Sequence, residues 1–121
     1  LTIIAFGIMV LEALKIREEL QKSGLSVGVI DLFRVKPINE NLLKEHLKKT
    51  KRVATLEEHT VTGGLGAAVS EFMAEHDIVL PIKMFGIPDS FRSEVGDRAH
   101  LRLLDKLDSV NVIAKIKNWI Q

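Results

Sequence analysis

The chain has 121 residues, no cysteine, and 17 basic against 16 acidic residues, for a net charge of +1. That balance argues against nucleic acid or an anionic membrane as an obligate partner, and the missing thiols exclude disulfides, a cysteine nucleophile and thiolate metal sites. A hydrophobic share of 46% fits one globular domain over residues 1–121, with no apolar run long enough to span a bilayer and a composition that suits the cytoplasm.

The chain opens on an apolar strand, Thr2–Gly7, with no initiator methionine and no polar lead-in. We therefore expect a domain cut from a longer polypeptide. Val10–Lys22 reads as a helix with Leu11, Leu14 and Leu20 inward and Lys15, Glu18 and Glu19 outward, stopped by Ser23-Gly24. Ser26–Leu32 is a β-branched strand. Pro37 breaks the chain, and Asn39 can cap a helix over Glu40–Lys49 whose apolar side is Leu42, Leu43 and Leu47. Arg52–Glu58 is a third strand. Gly64–His76 is a third helix, with Leu65, Ala68, Val69, Phe72 and Met73 on one face. A fourth strand runs from Pro81 through Ile87, and Pro88 ends it. After the polar loop Asp89–Gly96, Asp97 can cap a helix carrying Leu101, Leu104 and Leu107. Ser109 can cap the last helix, striped by Val112, Ile113, Ile116, Trp119 and Ile120. This alternation predicts an α/β domain with helices on both faces of a largely parallel sheet.

The junction Gly63-Gly64-Leu65-Gly66 carries the most information. Glycine lets the backbone approach a neighbour closely, and the amides of a helix start form a latent anion site. A phosphate loop would need Gly-x-Gly-x-x-Gly after the first strand, or a Gly-Lys-Ser/Thr ending. Here Val69 stands at the last glycine position, the turn follows the third strand, and no lysine is present. A tight turn seating the helix on the sheet is the favoured reading. Glu57 and His59 share a strand face, so the carboxylate could orient the imidazole as a general base. The competing and preferred reading is a polar strand end bonded to the next loop. No second histidine stands at helical spacing, so there is no zinc pattern. His46, His76 and His100 read as surface or helix-end residues. Arg92, in the cluster Asp89–Glu94, could meet an anion or a carboxylate near the same corner. The candidate site is thus a corner of Glu58, His59, Gly63, Gly64, Gly66 and Arg92, serving as an anion site or a domain interface. No catalytic, cofactor-binding or metal residue is assigned.

Four segments together resemble the C-terminal domain of the transketolase family of thiamine-diphosphate enzymes. They are Thr2–Ala13, Val29–Ile38, Leu56–Val69 with its Glu-Glu-His and Gly-Gly-Leu-Gly, and Phe85–Phe91. The resemblance implies a three-layer α/β/α domain with a five-stranded mixed, mostly parallel sheet. The fifth strand would lie around Ile78–Leu80 or in the final segment. The family binds thiamine diphosphate and Mg2+ between its pyrophosphate-binding and pyrimidine-binding domains, both upstream of this one. The resemblance therefore implies a domain that binds no cofactor alone, packs on the upstream pyrimidine-binding domain and helps to form a homodimer. The parent reaction it implies is two-carbon ketol transfer between sugar phosphates. The alternative parents are a deoxyxylulose-phosphate synthase or the beta subunit of a 2-oxoacid dehydrogenase. Ser93–Leu107 follows the family pattern only loosely, and the chain has no tyrosine.

Overall fold

A computed structural model describes residues 1–121. The strands are β1 (Thr2–Ala5), β2 (Gly28–Asp31), β3 (Val53–Thr60) and β4 (Ile82–Ile87). The helices are α1 (Met9–Lys22), α2 (Glu40–Leu47), α3 (Leu65–Glu75), α4 (Arg98–Leu104) and α5 (Ser109–Ile120). The sheet order is β2-β1-β3-β4, and every pairing is parallel. Helices cover both faces, so the strands carry apolar residues on both sides, as a parallel sheet requires.

The alternation of β3 shows how the layers divide. Ala54 and Leu56 point to one core, shared with Ile3, Ala5 and Phe85 and roofed by Met9, Ala13, Ile16 and Leu20 of α1 and Val112 and Ile116 of α5. Val53 points to the other, with Ile4 and Leu32, under Leu43 and Leu47 of α2 and Leu65, Val69, Phe72 and Met73 of α3. Period-two alternation of one strand thus serves two roofs. The first strand and the last helix meet at Arg52. Its carbonyl accepts the Thr2 amide at 3.0 Å, and its guanidinium lies 5.3 Å from the centre of the Trp119 ring.

Several expectations are corrected. The sheet has four strands, not five, and none is antiparallel. Ile78–Leu80 forms no strand. The backbone turns at Asp77 (φ 54°), the Ile78 amide bonds back to the Met73 carbonyl at 2.9 Å, and Ile78 and Leu80 pack against the second core. The final segment is helical. On α1 the inward stripe is Met9, Glu12, Ala13, Ile16 and Leu20, while Leu11 and Leu14 are exposed. Leu42 of α2 is exposed as well. The cap of α5 is Asp108, which accepts the Asn111 amide, and Ser109 is the first helical residue. Asn39 and Asp97 cap α2 and α4 as expected. No residue of α4 is buried, and Leu107, beyond its end, supplies the anchor.

Candidate functional site

In the order β2-β1-β3 the direction in which strands are added to the sheet reverses between β1 and β3, with α1 on one face and α3 on the other. The crevice beyond the carboxyl ends of such strands is where α/β sheets hold ligands. A cleft of about 610 Å³ lies there. Phe6 follows β1 on its floor, Val35 to Ile38 form one wall, and Gly63, Gly64, Leu65, Ala68, Glu71, Phe72 and Glu75 form the other. Glu57 and His59 enter from β3.

The α3 start brings no capping side chain of its own, because its N-cap is Gly64. Its first amides need an acceptor from elsewhere. Glu57 supplies it. The Leu65 amide donates to Glu57 Oε2 at 2.7 Å and the Gly66 amide donates to Oε1 at 3.0 Å. The carboxylate is fully buried, and two charge-assisted bonds and the helix dipole hold it there. Glycines make room for it. A Cβ on Gly64 would collide with the Glu57 carboxylate, and one on Gly86 would come within 2.9 Å of Glu57 Cγ. A Cβ on Gly66 would meet Met84 and the Thr55 hydroxyl. Gly63, at φ 73°, turns the chain into this arrangement.

The expected corner therefore divides. His59, Gly63 and Gly64 line the cleft together, and Gly66 donates at its back. Glu58 and Arg92 lie elsewhere. Glu58 points to the opposite face, where Arg102 Nη2 reaches it at 3.1 Å and Arg98 Nε at 3.3 Å. Arg102 also holds Glu12 of α1 at 3.1 Å, so one guanidinium ties α4 to α1 and β3. Arg92 pairs with Asp105. Strand alternation separates Glu58 from Glu57 and His59, and Arg92 finds its carboxylate beyond the end of α4. Glu57 does not orient His59. The His59 Nδ1 instead lies 3.1 Å from the Thr60 carbonyl, beside the turn backbone. The signal that could have found Glu57 was the glycine at the helix start, which demands an outside acceptor.

Other charges also belong to the scaffold. Glu40, at the start of α2, receives His76 Nε2 at 3.0 Å and Lys44 Nζ at 3.3 Å. These two bonds, His76 first, hold its carboxyl below the ordinary 4.5. At Asp108 burial favours the neutral carboxyl, but hydrogen bonds from the Asn111 side chain and backbone outweigh it and lower the pKa.

The cleft does not fit a diphosphate. The helix-start amides that would bind it already hold a carboxylate, and Glu40, Glu71 and Glu75 add negative charge around the opening. No cluster of three metal-ligating side chains is present. No helix is long and apolar enough to cross a membrane.

A family model described as the transketolase C-terminal domain matches residues 1–107. The chain belongs to this family. It is 36% identical over 125 residues to a 1-deoxy-D-xylulose-5-phosphate synthase of Acinetobacter baumannii, covering 100% of this chain and 19% of that protein. It is 43% identical over 116 residues to the synthase of the same name in Bacillus licheniformis, covering 95% and 18%. A solved structure titled as a split gene transketolase, an inactive beta4 tetramer, superposes with a TM-score of 0.86 and 35% identity, covering 97% of this chain and 38% of that one. The chain thus spans less than a fifth of the length of these curated relatives.

Proposed function

We propose that this domain is the non-catalytic C-terminal part of a thiamine-diphosphate-dependent enzyme of the transketolase type. It stabilises the assembly that builds the cofactor site. The observation that carries this is the Glu57 carboxylate on the amides of Leu65 and Gly66. The fold's default anion site is filled by the protein itself, and His59 rests beside its own turn. The cofactor, with Mg2+, binds to the upstream domains and supplies the carbanion chemistry there. The domain packs on the pyrimidine-binding domain in a cytoplasmic homodimer. Two features support a role in assembly: the small fraction of the relatives' length that the chain covers, and the split-gene neighbour, whose tetramer is titled inactive.

The parent reaction in this reading is two-carbon ketol transfer between sugar phosphates. A second reading makes the parent a 1-deoxy-D-xylulose-5-phosphate synthase, which the names of the relatives favour. Product analysis of the parent enzyme separates the two.

Calorimetric titration of magnesium and thiamine diphosphate into the folded chain tests the negative half. No saturable heat is the expected outcome, and tight binding would overturn the reading. Removal of residues 1–121 from the parent enzyme tests the positive half. Loss of dimer and activity is expected, and a fully active dimer without them would refute it.

A further inference from the structure

We propose that the cleft between α3 and the segment Val35–Ile38 is the seat for a basic, apolar-flanked segment of the enzyme's catalytic portion. This rests on the function proposed above and adds to it the face and the chemistry of the contact.

Charge selects the occupant. Four carboxylates line the cleft, those of Glu40, Glu57, Glu71 and Glu75, and Lys36 is the one lysine among them. Glu57 is satisfied by backbone amides, and Glu40 by Lys44 and His76. Glu71 and Glu75 have no cation within ion-pairing distance. They stand one turn apart on α3 and repel each other. A guanidinium or ammonium placed between them turns that repulsion into attraction, and a guanidinium can bond both. An anionic ligand would meet the wrong sign of charge.

Shape and extent select a polypeptide rather than a free ion. The cleft holds about 610 Å³, far more than an ion needs, and Phe6, Val35, Ile38 and Phe72 give it apolar walls. Apolar flanks on the entering segment would cover them while its cation meets the α3 carboxylates at the rim. The chain covers less than a fifth of the length of these relatives, so most of such a protein lies outside this domain and is the occupant we assign to the cleft. The clefts on the opposite side are smaller, about 260 and 370 Å³, and basic side chains line both. The arginines on that side, Arg92, Arg98 and Arg102, are already paired with Asp105, Glu58 and Glu12.

The test uses the 121-residue chain and the separately expressed thiamine-diphosphate-binding polypeptide of the same enzyme, with association followed by calorimetry and folding of each variant checked by circular dichroism. Charge reversal at the rim, Glu71→Lys with Glu75→Lys, is expected to weaken binding about tenfold or more and to remove its sensitivity to salt. The control pair Glu18→Lys with Glu94→Lys makes the same charge change at exposed, unpaired positions outside the cleft and should leave binding unchanged. Unchanged binding by the rim variant, or equal loss in both pairs, overturns the proposal while the functional reading stands. Absence of any binding by the wild-type chain removes both. Sedimentation of the chain alone supplies the last arm. A dimer that the rim variant dissociates would show that a second copy occupies the cleft, against the proposal.

Discussion

Glu57 is the residue on which the corner depends. Its two bonds satisfy buried donors at a helix start that has no capping side chain of its own. Removing the acceptor costs more than the bonds themselves, because the amides of Leu65 and Gly66 are left unpaired. Glu57→Ala is expected to destabilise the chain by about 3 kcal/mol in urea unfolding. Glu57→Gln recovers one bond at most, since its amide group presents N–H to N–H on the other side. Gly64→Ala should cost about 2 kcal/mol, because the new methyl meets the carboxylate and lies 2.6 Å from the Thr60 carbonyl. A Glu57→Ala variant as stable as wild type would show that the helix start needs no internal acceptor.

At the scale of elements, side-chain ties between helices complement the two cores. Arg102 fastens α4, a helix with no buried residue, through Glu12 and Glu58. Glu40 fastens α2 to α3 through His76. Its folded pKa is depressed, so its contribution is complete above the ordinary value of 4.5 and is lost as the pH falls through the folded value. Glu40→Gln should therefore be less stable than wild type above pH 4.5, and the gap should close as the pH falls below it. Chemical denaturation across that range checks this, and a gap that widens in acid would contradict it.

These elements also show what could be read from residues alone. The four strands and five helices follow from β-branched runs, apolar periodicity and caps such as Asn39 and Asp97, all local signals. On α1 the helical period is a better guide to the buried face than the leucines, of which Leu11 and Leu14 are exposed. Met9, Ala13, Ile16 and Leu20 form the better stripe, and Glu12 joins it because Arg102, 90 residues away, reaches it. The side that Glu58 takes follows from strand alternation, since it sits one step from Glu57 and faces the other layer. Its partner Arg102 and the pairing of Arg92 with Asp105 are tertiary, and spacing along the chain does not encode them. The tight turn at Gly63-Gly64, by contrast, is a local signal, and its helix-start amides are taken by Glu57.

For the whole molecule, two apolar cores lie on opposite faces of one sheet, and the main cleft opens at the carboxyl ends of its strands. One end of the domain is concerned with cohesion at Arg52, and the other with the cleft. The clamp of Glu57 on α3 has a consequence for connectivity. It joins β3 to α3 by side-chain bonds, so the peptide link through exposed Thr62 and Gly63 is not what holds them together. Thr2 and Trp119 both touch Arg52, which brings the two ends of the chain to one place. The order of the sequence is therefore separable from the order of the fold. A circular permutant that opens between Thr62 and Gly63, with its old ends joined by a short flexible linker beside Arg52, should fold to the same circular dichroism spectrum and lose that tolerance when Glu57 is replaced by alanine.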